Sequence, residues 1–132
     1  MILVDTSVWI DYLNGVNTWQ SDTLDRFLSE KTVLTGDIIL AELLQGFDKE
    51  NDFQVARKAL DPLECIALGG KTVAIQSAMN FRLLRASGVT IRKTVDMLIG
   101  TWCIESKVQL LHNDKDFDRI AGKLPLKVIR KP

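Results

Sequence analysis

With 132 residues and 46% hydrophobic side chains, the chain has the size and apolar content of one compact domain spanning 1–132. Its 17 basic and 17 acidic residues balance, which excludes the strongly basic composition that would by itself mark a nucleic-acid binder. Met1-Ile2-Leu3-Val4 meets a charge at Asp5 too early for a signal-peptide core, and no apolar run approaches the roughly 20 residues of a membrane span, so the expected compartment is the cytoplasm with no membrane partner.

In chain order, Ile2-Leu3-Val4 is a short continuous apolar run, the pattern of a central parallel strand, and it ends at Asp5-Thr6-Ser7. Val8, Trp9, Ile10, Tyr12 and Leu13 form a helical stripe stopped by Asn14-Gly15, with the Thr6 and Ser7 hydroxyls available as its cap. A helix over Ser21 to Glu30 and a strand over Lys31 to Thr35 follow. Asp37 is placed to cap a helix over Ile38 to Leu44 ending at Gly46, and Asp52 to Leu60 reads as another. Pro62 breaks the chain before Cys65-Ile66-Ala67-Leu68. Two amphipathic helices are expected from Gly69-Gly70 to about Ala86 and from Thr94 to Ser106. Val108 to His112 is a second buried strand, Phe117, Ile120 and Ala121 suggest a short helix, and Leu126 to Ile129 a last strand. This alternation implies an α/β sandwich with a mostly parallel sheet. Cys65 and Cys103 sit in apolar contexts without CxxC spacing and read as buried reduced thiols.

Open α/β sheets place their sites outside the carboxyl ends of the strands. Asp5 follows the first strand directly, and Asp114 follows the Leu110-Leu111-His112-Asn113 strand. Glu42 lies among Ile38-Ile39-Leu40-Ala41 and Leu43-Leu44, on a helix expected to be buried nearly all round, and Asp96 is lodged between Val95 and Met97-Leu98-Ile99. A buried carboxylate needs a metal, a cation or a proton. Each acid has a structural alternative: Asp5 and Asp114 as helix caps, Asp96 as a first-turn acid, Glu42 as a salt-bridge partner. Converging without cations, the four would repel and raise one another's pKa values, whereas one or two Mg²⁺ or Mn²⁺ ions turn the same geometry into a favourable oxygen site. The absence of a His or Cys cluster argues against zinc. Such a site suits phosphodiester hydrolysis, in which a metal lowers the pKa of a water, polarises the phosphoryl oxygen and stabilises the departing oxyanion. Thr6 or Ser7 is placed to hydrogen-bond a ligating carboxylate or a substrate phosphate.

Four segments in order, Ile2-Leu3-Val4-Asp5-Thr6-Ser7-Val8-Trp9, Ile39-Leu40-Ala41-Glu42-Leu43-Leu44-Gln45-Gly46, Thr94-Val95-Asp96-Met97-Leu98-Ile99-Gly100 and Leu110-Leu111-His112-Asn113-Asp114-Lys115-Asp116-Phe117, give the chain a resemblance to PIN-domain proteins, and among them to VapC-type toxins. The resemblance spans essentially the whole chain. It implies a three-layer α/β/α sandwich with a central, mostly parallel sheet. It further implies an endoribonuclease using Mg²⁺ or Mn²⁺, neutralised by a cognate antitoxin whose extended tail enters the active-site groove, and usually a homodimer. The catalytic and metal-binding acids it implies here are Asp5, Glu42, Asp96 and Asp114, with Asp116 as an auxiliary metal ligand and Asp118 as a further candidate or a surface partner of Arg119. Many relatives carry Thr or Ser where this chain has His112 or Asn113.

If those six acids line the site, the 17 basic residues outnumber the remaining acids by six, so a neutral total conceals a basic exterior. Arg82, Arg85, Arg92, Lys93 and Lys115 are candidate phosphate contacts, or solvated helix-face charges. Trp9 and Trp102 lie on apolar stripes and read as core or interface residues, while Trp19, expected in a polar loop, is the more open candidate for stacking a base. His112 is read as a structural strand-end residue rather than a general base. Two other function classes compete: a non-catalytic PIN-like module binding RNA or protein, and a phosphoacceptor domain with Asp5 as nucleophile, weakened because no DxDxT pattern follows Asp5.

Overall fold

The computed structural model describes residues 1–132. Its first strand, β1 (Ile2–Val4), is buried throughout, as an apolar run covered on both faces should be. Helix α1 (Thr6–Leu13) is capped by Asp5, not by the Thr6 and Ser7 hydroxyls, and stops at Asn14 before Gly15, whose φ of +70° is a conformation glycine adopts without a Cβ clash. The next helix, α2 (Trp19–Glu30), starts before the expected Ser21. The reason is a reciprocal capping box in which Ser21 N donates to Thr18 Oγ1 at 3.0 Å and Thr18 N to Ser21 Oγ at 2.9 Å. Then come β2 (Val33–Gly36), α3 (Asp37–Gln45), α4 (Glu50–Leu60), β3 (Glu64–Ile66), α5 (Lys71–Ala86), α6 (Thr94–Ser106), β4 (Gln109–Leu111) and α7 (Lys115–Ala121).

The strands pair in the order β3-β2-β1-β4, and every pairing is parallel. Leu3 lies opposite both Leu34 and Leu110, which places β1 at the centre as expected. The chain runs from β1 through β2 to β3 and then returns past β1 to β4; with the right-handed crossovers that parallel strands adopt, this puts α1 to α4 on one face and α5 and α6 on the other. The contacts agree: α1 packs on α2 and α3, α3 on α4, α5 on α6, and α6 on α7. The result is the three-layer α/β/α sandwich. At the end of β2, a Cβ on Gly36 would collide with the Leu68 side chain, so the close approach of that loop requires glycine. Across the α5–α6 contact, buried Asn80 Nδ2 donates to Thr101 Oγ1 at 3.1 Å. No helix is long and apolar enough to cross a membrane.

Four expectations are corrected. Leu126 to Ile129 makes only one parallel bridge, Leu110 with Val128, and is an edge contact rather than a strand. Cys65 is exposed because β3 is an edge strand with β2 on one side only, whereas Cys103 is buried. On α6, the buried residues Asp96, Met97, Ile99, Gly100, Thr101 and Cys103 wrap most of the circumference, since the helix is enclosed by sheet, α5 and α7; it is not amphipathic. On α3, by contrast, only Ile39 and Leu43 are buried and Glu42 is half-exposed, so that helix has an open face after all.

Candidate metal centre

Strand order reverses between β1 and β4, and ligand sites of open α/β sheets form at such a switch point. Asp5 leaves β1 there, and its backbone N–H donates to Leu111 O at 3.0 Å, stitching the two strand ends together. The Asp5 carboxylate caps α1 through Oδ2 alone, which accepts from Ser7 N at 3.0 Å and Ser7 Oγ at 2.6 Å. Oδ1 stays outside the cap, so capping and site membership are compatible. Ser7 Oγ in turn accepts from Asn113 N at 3.0 Å, tying the segment after β4 to the Asp5 carboxylate.

Glu42 reaches the same cleft from α3, where its Oε1 accepts from Thr6 Oγ1 at 3.1 Å. Thr6 and Ser7 thus orient carboxylates, one of the two roles expected of them. Asp96 lies in the first turn of α6 and is buried. Asp114 caps α7, its Oδ1 accepting from Asp116 N at 2.9 Å. Asp5, Glu42, Asp96 and Asp114 all line one cleft of about 290 Å³, together with Thr6, Ser7 and Lys93. Asp116 joins from the α7 side: one carboxylate oxygen from each of Asp96, Asp114 and Asp116 lies within 4.8 Å of the others.

Two oxygens in this group stand out. Asp96 Oδ2 and Asp116 Oδ2 are buried without a hydrogen-bond partner, a costly state for a carboxylate. The only cation facing Asp96 is Lys93, whose Nζ is 4.0 Å from both Asp96 Oδ2 and Asp114 Oδ2. Burial pushes the Asp96 carboxyl up to about 7, with Lys93 opposing and the charges of Asp5, Asp114 and Glu42 adding to the rise. Asp5 is also raised by burial, against the pull of its Ser7 hydrogen bonds, and Glu42 by burial, against Thr6 and with Asp5 adding. Burial is thus the larger cause at all three, and the mutual repulsion expected from the sequence adds to it at Asp96 and Glu42 but not at Asp5.

The last two acids of the motif diverge. Arg119 Nη1 donates to Asp116 Oδ1 at 3.1 Å, so its partner is Asp116 and not Asp118. Asp118 is exposed and faces His112, with 3.4 Å between its Oδ1 and Nε2. The buried His112 ring packs on Phe117, and its Nδ1 accepts from Asp114 N at 3.1 Å. The imidazole thus holds the Asp114 backbone. Sequence reasoning missed these braces, although the i,i+3 spacings Lys93/Asp96 and Asp116/Arg119 are the available signal. Of the five basic candidates, Lys93 lines the carboxylate cleft and Lys115 an adjoining groove, whereas Arg82, Arg85 and Arg92 line a separate groove beside α5 and α6. Trp9 is in the core, while Trp102 and Trp19 are half-buried against it.

The PIN domain family model matches residues 2–123. Ribonuclease VapC11 of Mycobacterium tuberculosis is 28% identical over 123 residues, 92% of each chain. Two solved structures share the fold. One is VapBC2 from Rickettsia felis bound to a DNA fragment from their promoter, with a TM-score of 0.75, 24% identity and 98% of each chain covered. The other is VapC20 of Mycobacterium tuberculosis, a sarcin-ricin loop cleaving toxin, with a TM-score of 0.69, 19% identity, and 96% of this chain and 99% of that one covered. With the parallel sheet, the switch-point acids and the family match in agreement, the chain belongs to the PIN-domain family.

Proposed function

We propose that residues 1–132 form one nuclease domain, a cytoplasmic metal-dependent endoribonuclease that is the toxin of a toxin-antitoxin pair. Asp5, Glu42, Asp96 and Asp114 are its catalytic acids, and these four with Asp116 hold Mg²⁺ or Mn²⁺. The observation that carries this reading is the gathering of carboxylates at the switch point with Asp96 Oδ2 and Asp116 Oδ2 buried without a hydrogen-bond partner. An all-oxygen donor set fits a hard divalent cation rather than zinc. The ribonuclease and toxin names of the similar proteins support it further.

When bound, the ion supplies Lewis acidity at a phosphoryl oxygen and charge that offsets the oxyanion developing on the departing group. The chain's own residues keep the carboxylates in place: Ser7 holds Asp5, Thr6 holds Glu42, Arg119 holds Asp116, and His112 holds the backbone of Asp114. Lys93, which lines the carboxylate cleft, would meet a backbone phosphate. A stripe of exposed apolar residues on α5, Ile75, Met79 and Leu83, supports a protein partner, which we take to be a second copy of the chain, with the antitoxin tail entering the carboxylate cleft.

Incubation of purified, antitoxin-free protein with small structured RNAs is the test. Cleavage is expected with Mg²⁺ or Mn²⁺, and none after chelation or in Asp5→Asn and Asp96→Asn. Metal-independent cutting, or full activity in both variants, overturns the reading.

A further inference from the structure

Asp114 lines two cavities: the carboxylate cleft, and a second groove of about 420 Å³ whose other walls include Trp19, Gln20, Asn113 and Lys115. Resting on the ribonuclease reading above, we propose that this second groove is a nucleobase subsite, taking the base of the nucleotide next to the scissile phosphate, stacked on Trp19.

Trp19 is half-exposed at the first turn of α2, and the capping box of Thr18 and Ser21 on either side of it fixes its backbone. An aromatic side chain held this way on a groove wall is a stacking platform that any base can use. The groove shares Asp114 with the acid site, and a chain of hydrogen bonds links the two. The buried Gln20 donates from Nε2 to Asn113 Oδ1 at 3.2 Å, and Asn113 N donates to Ser7 Oγ at 3.0 Å. The same Ser7 hydroxyl donates to Asp5 Oδ2 at 2.6 Å. A base seated in the groove is therefore in register with the carboxylates through one hydrogen-bonded frame, which is what positioning a phosphodiester for attack requires.

Charge selects the occupant. Two carboxylates, Asp114 and Asp118, face the groove against one ammonium, Lys115. A second phosphate is repelled there, while an uncharged base is accepted and its N–H groups find carboxylate acceptors. The volume lies within the roughly 300–1,000 Å³ usual for sites of small ligands.

The test pairs protein variants with an altered substrate. On a short RNA whose cut position has been mapped, Trp19→Ala raises KM about 5- to 150-fold, the equivalent of one base–aromatic stack, with kcat changed much less, and Trp19→Phe restores most of the loss. An abasic nucleotide beside the cut raises KM for the unmutated protein by a similar factor and adds nothing to Trp19→Ala, because both remove the same contact. An unchanged KM in Trp19→Ala, or independent effects of variant and abasic substrate, overturns the subsite. Should Trp19→Ala misfold, the abasic arm on the unmutated protein still decides: no abasic effect overturns it. Calorimetric binding of the same oligonucleotides, made uncleavable at the cut by a methylene in place of the departing bridging oxygen, separates the two readings. Abasic-sensitive binding without any cleavage of the unblocked RNA overturns the nuclease and keeps the subsite; cleavage with abasic-insensitive binding does the reverse.

Discussion

At the carboxyl ends of β1 and β4 the fold buries charge: Asp5, Asp96 and Asp116 are 5%, 3% and 2% exposed. Along α5 it does the opposite, leaving Ile75, Met79 and Leu83 at 54%, 51% and 60% exposure on one helix face. Both regions break the usual sorting of side chains, and each does so in the direction its occupant would reverse. On the proposed function, a cation would complete the buried acids and another protein surface the exposed apolar stripe. The difference lies in the bracing. Ser7, Thr6, His112 and Arg119 each grip one of the acids or its backbone, whereas the α5 stripe borders only a groove shared with Arg82 and Arg85. Unsatisfied polar groups must be held against relaxation, and an apolar stripe needs only to remain uncovered.

The strongest way to break this contrast is Asp96→Asn. We expect activity to fall more than about 100-fold, beyond the effect of losing a partner of a ligand, while the metal-free protein gains thermal stability. The pH dependence gives the sign. Folded Asp96 titrates at about 7 against an ordinary 3.8, so the folded chain holds that proton across the window between them. Its favourable contribution is complete below that window and is lost as pH rises through it. Thermal melts of metal-free unmutated and Asp96→Asn protein should therefore diverge from pH 4 to pH 7 and run parallel above. Melts that stay parallel throughout would show that burial does not hold the Asp96 proton in the folded chain.

Ser7→Ala comes next, because Ser7 braces Asp5 and Asn113 together. A loss of about 10- to 100-fold in metal affinity or activity is expected, with far-ultraviolet dichroism unchanged. Isothermal titration with Mn²⁺ measures it, and an unaltered affinity would show that the acids need no such brace. Gly36→Ala probes the scaffold beneath the site. The new methyl meets Leu68, and overpacking of this kind costs about 1–3 kcal/mol, readable as a lower urea midpoint. An unchanged midpoint would mean that the loop carrying Leu68 moves aside freely.

How much of this was legible in the sequence follows from how local each signal is. The strand β1 and Asp5 after it were readable because an apolar run ending in an acid fixes both the element and the position. The gathering of Glu42 and Asp96 with Asp5 was reached through charge logic and family resemblance, since nothing in one segment reports another brought beside it by a crossover. The string leaves Arg119 open as a surface partner of Asp118 because adjacent and i,i+3 partners look alike in it; the helical turn that aims Arg119 at Asp116 exists only in the fold. Glu42 was placed on a helix buried all round because its neighbours are apolar, yet apolar residues do not reveal that a helix face is left open. The same blindness hid the α5 stripe and the exposure of Cys65 at the sheet edge.

The smallest energetic effect belongs to that stripe, and it carries the sharper half of the contrast. Leu83→Glu places a charge where a side chain is already 60% exposed. The folded monomer therefore loses no core contact, and its stability should stay within about 0.5 kcal/mol, as for surface changes generally. If a second copy covers the face, the same substitution buries a carboxylate against apolar surface and disfavours association strongly. Sedimentation at micromolar concentration should then show the unmutated protein as a dimer and Leu83→Glu as a monomer, with urea midpoints of the two matched once both are diluted to monomer. A dimer that persists in Leu83→Glu would locate the interface elsewhere and leave the α5 face to a different partner. An unfolding free energy lowered by several kcal/mol would instead mean that Leu83 packs within its own chain, and the two regions would no longer differ in kind.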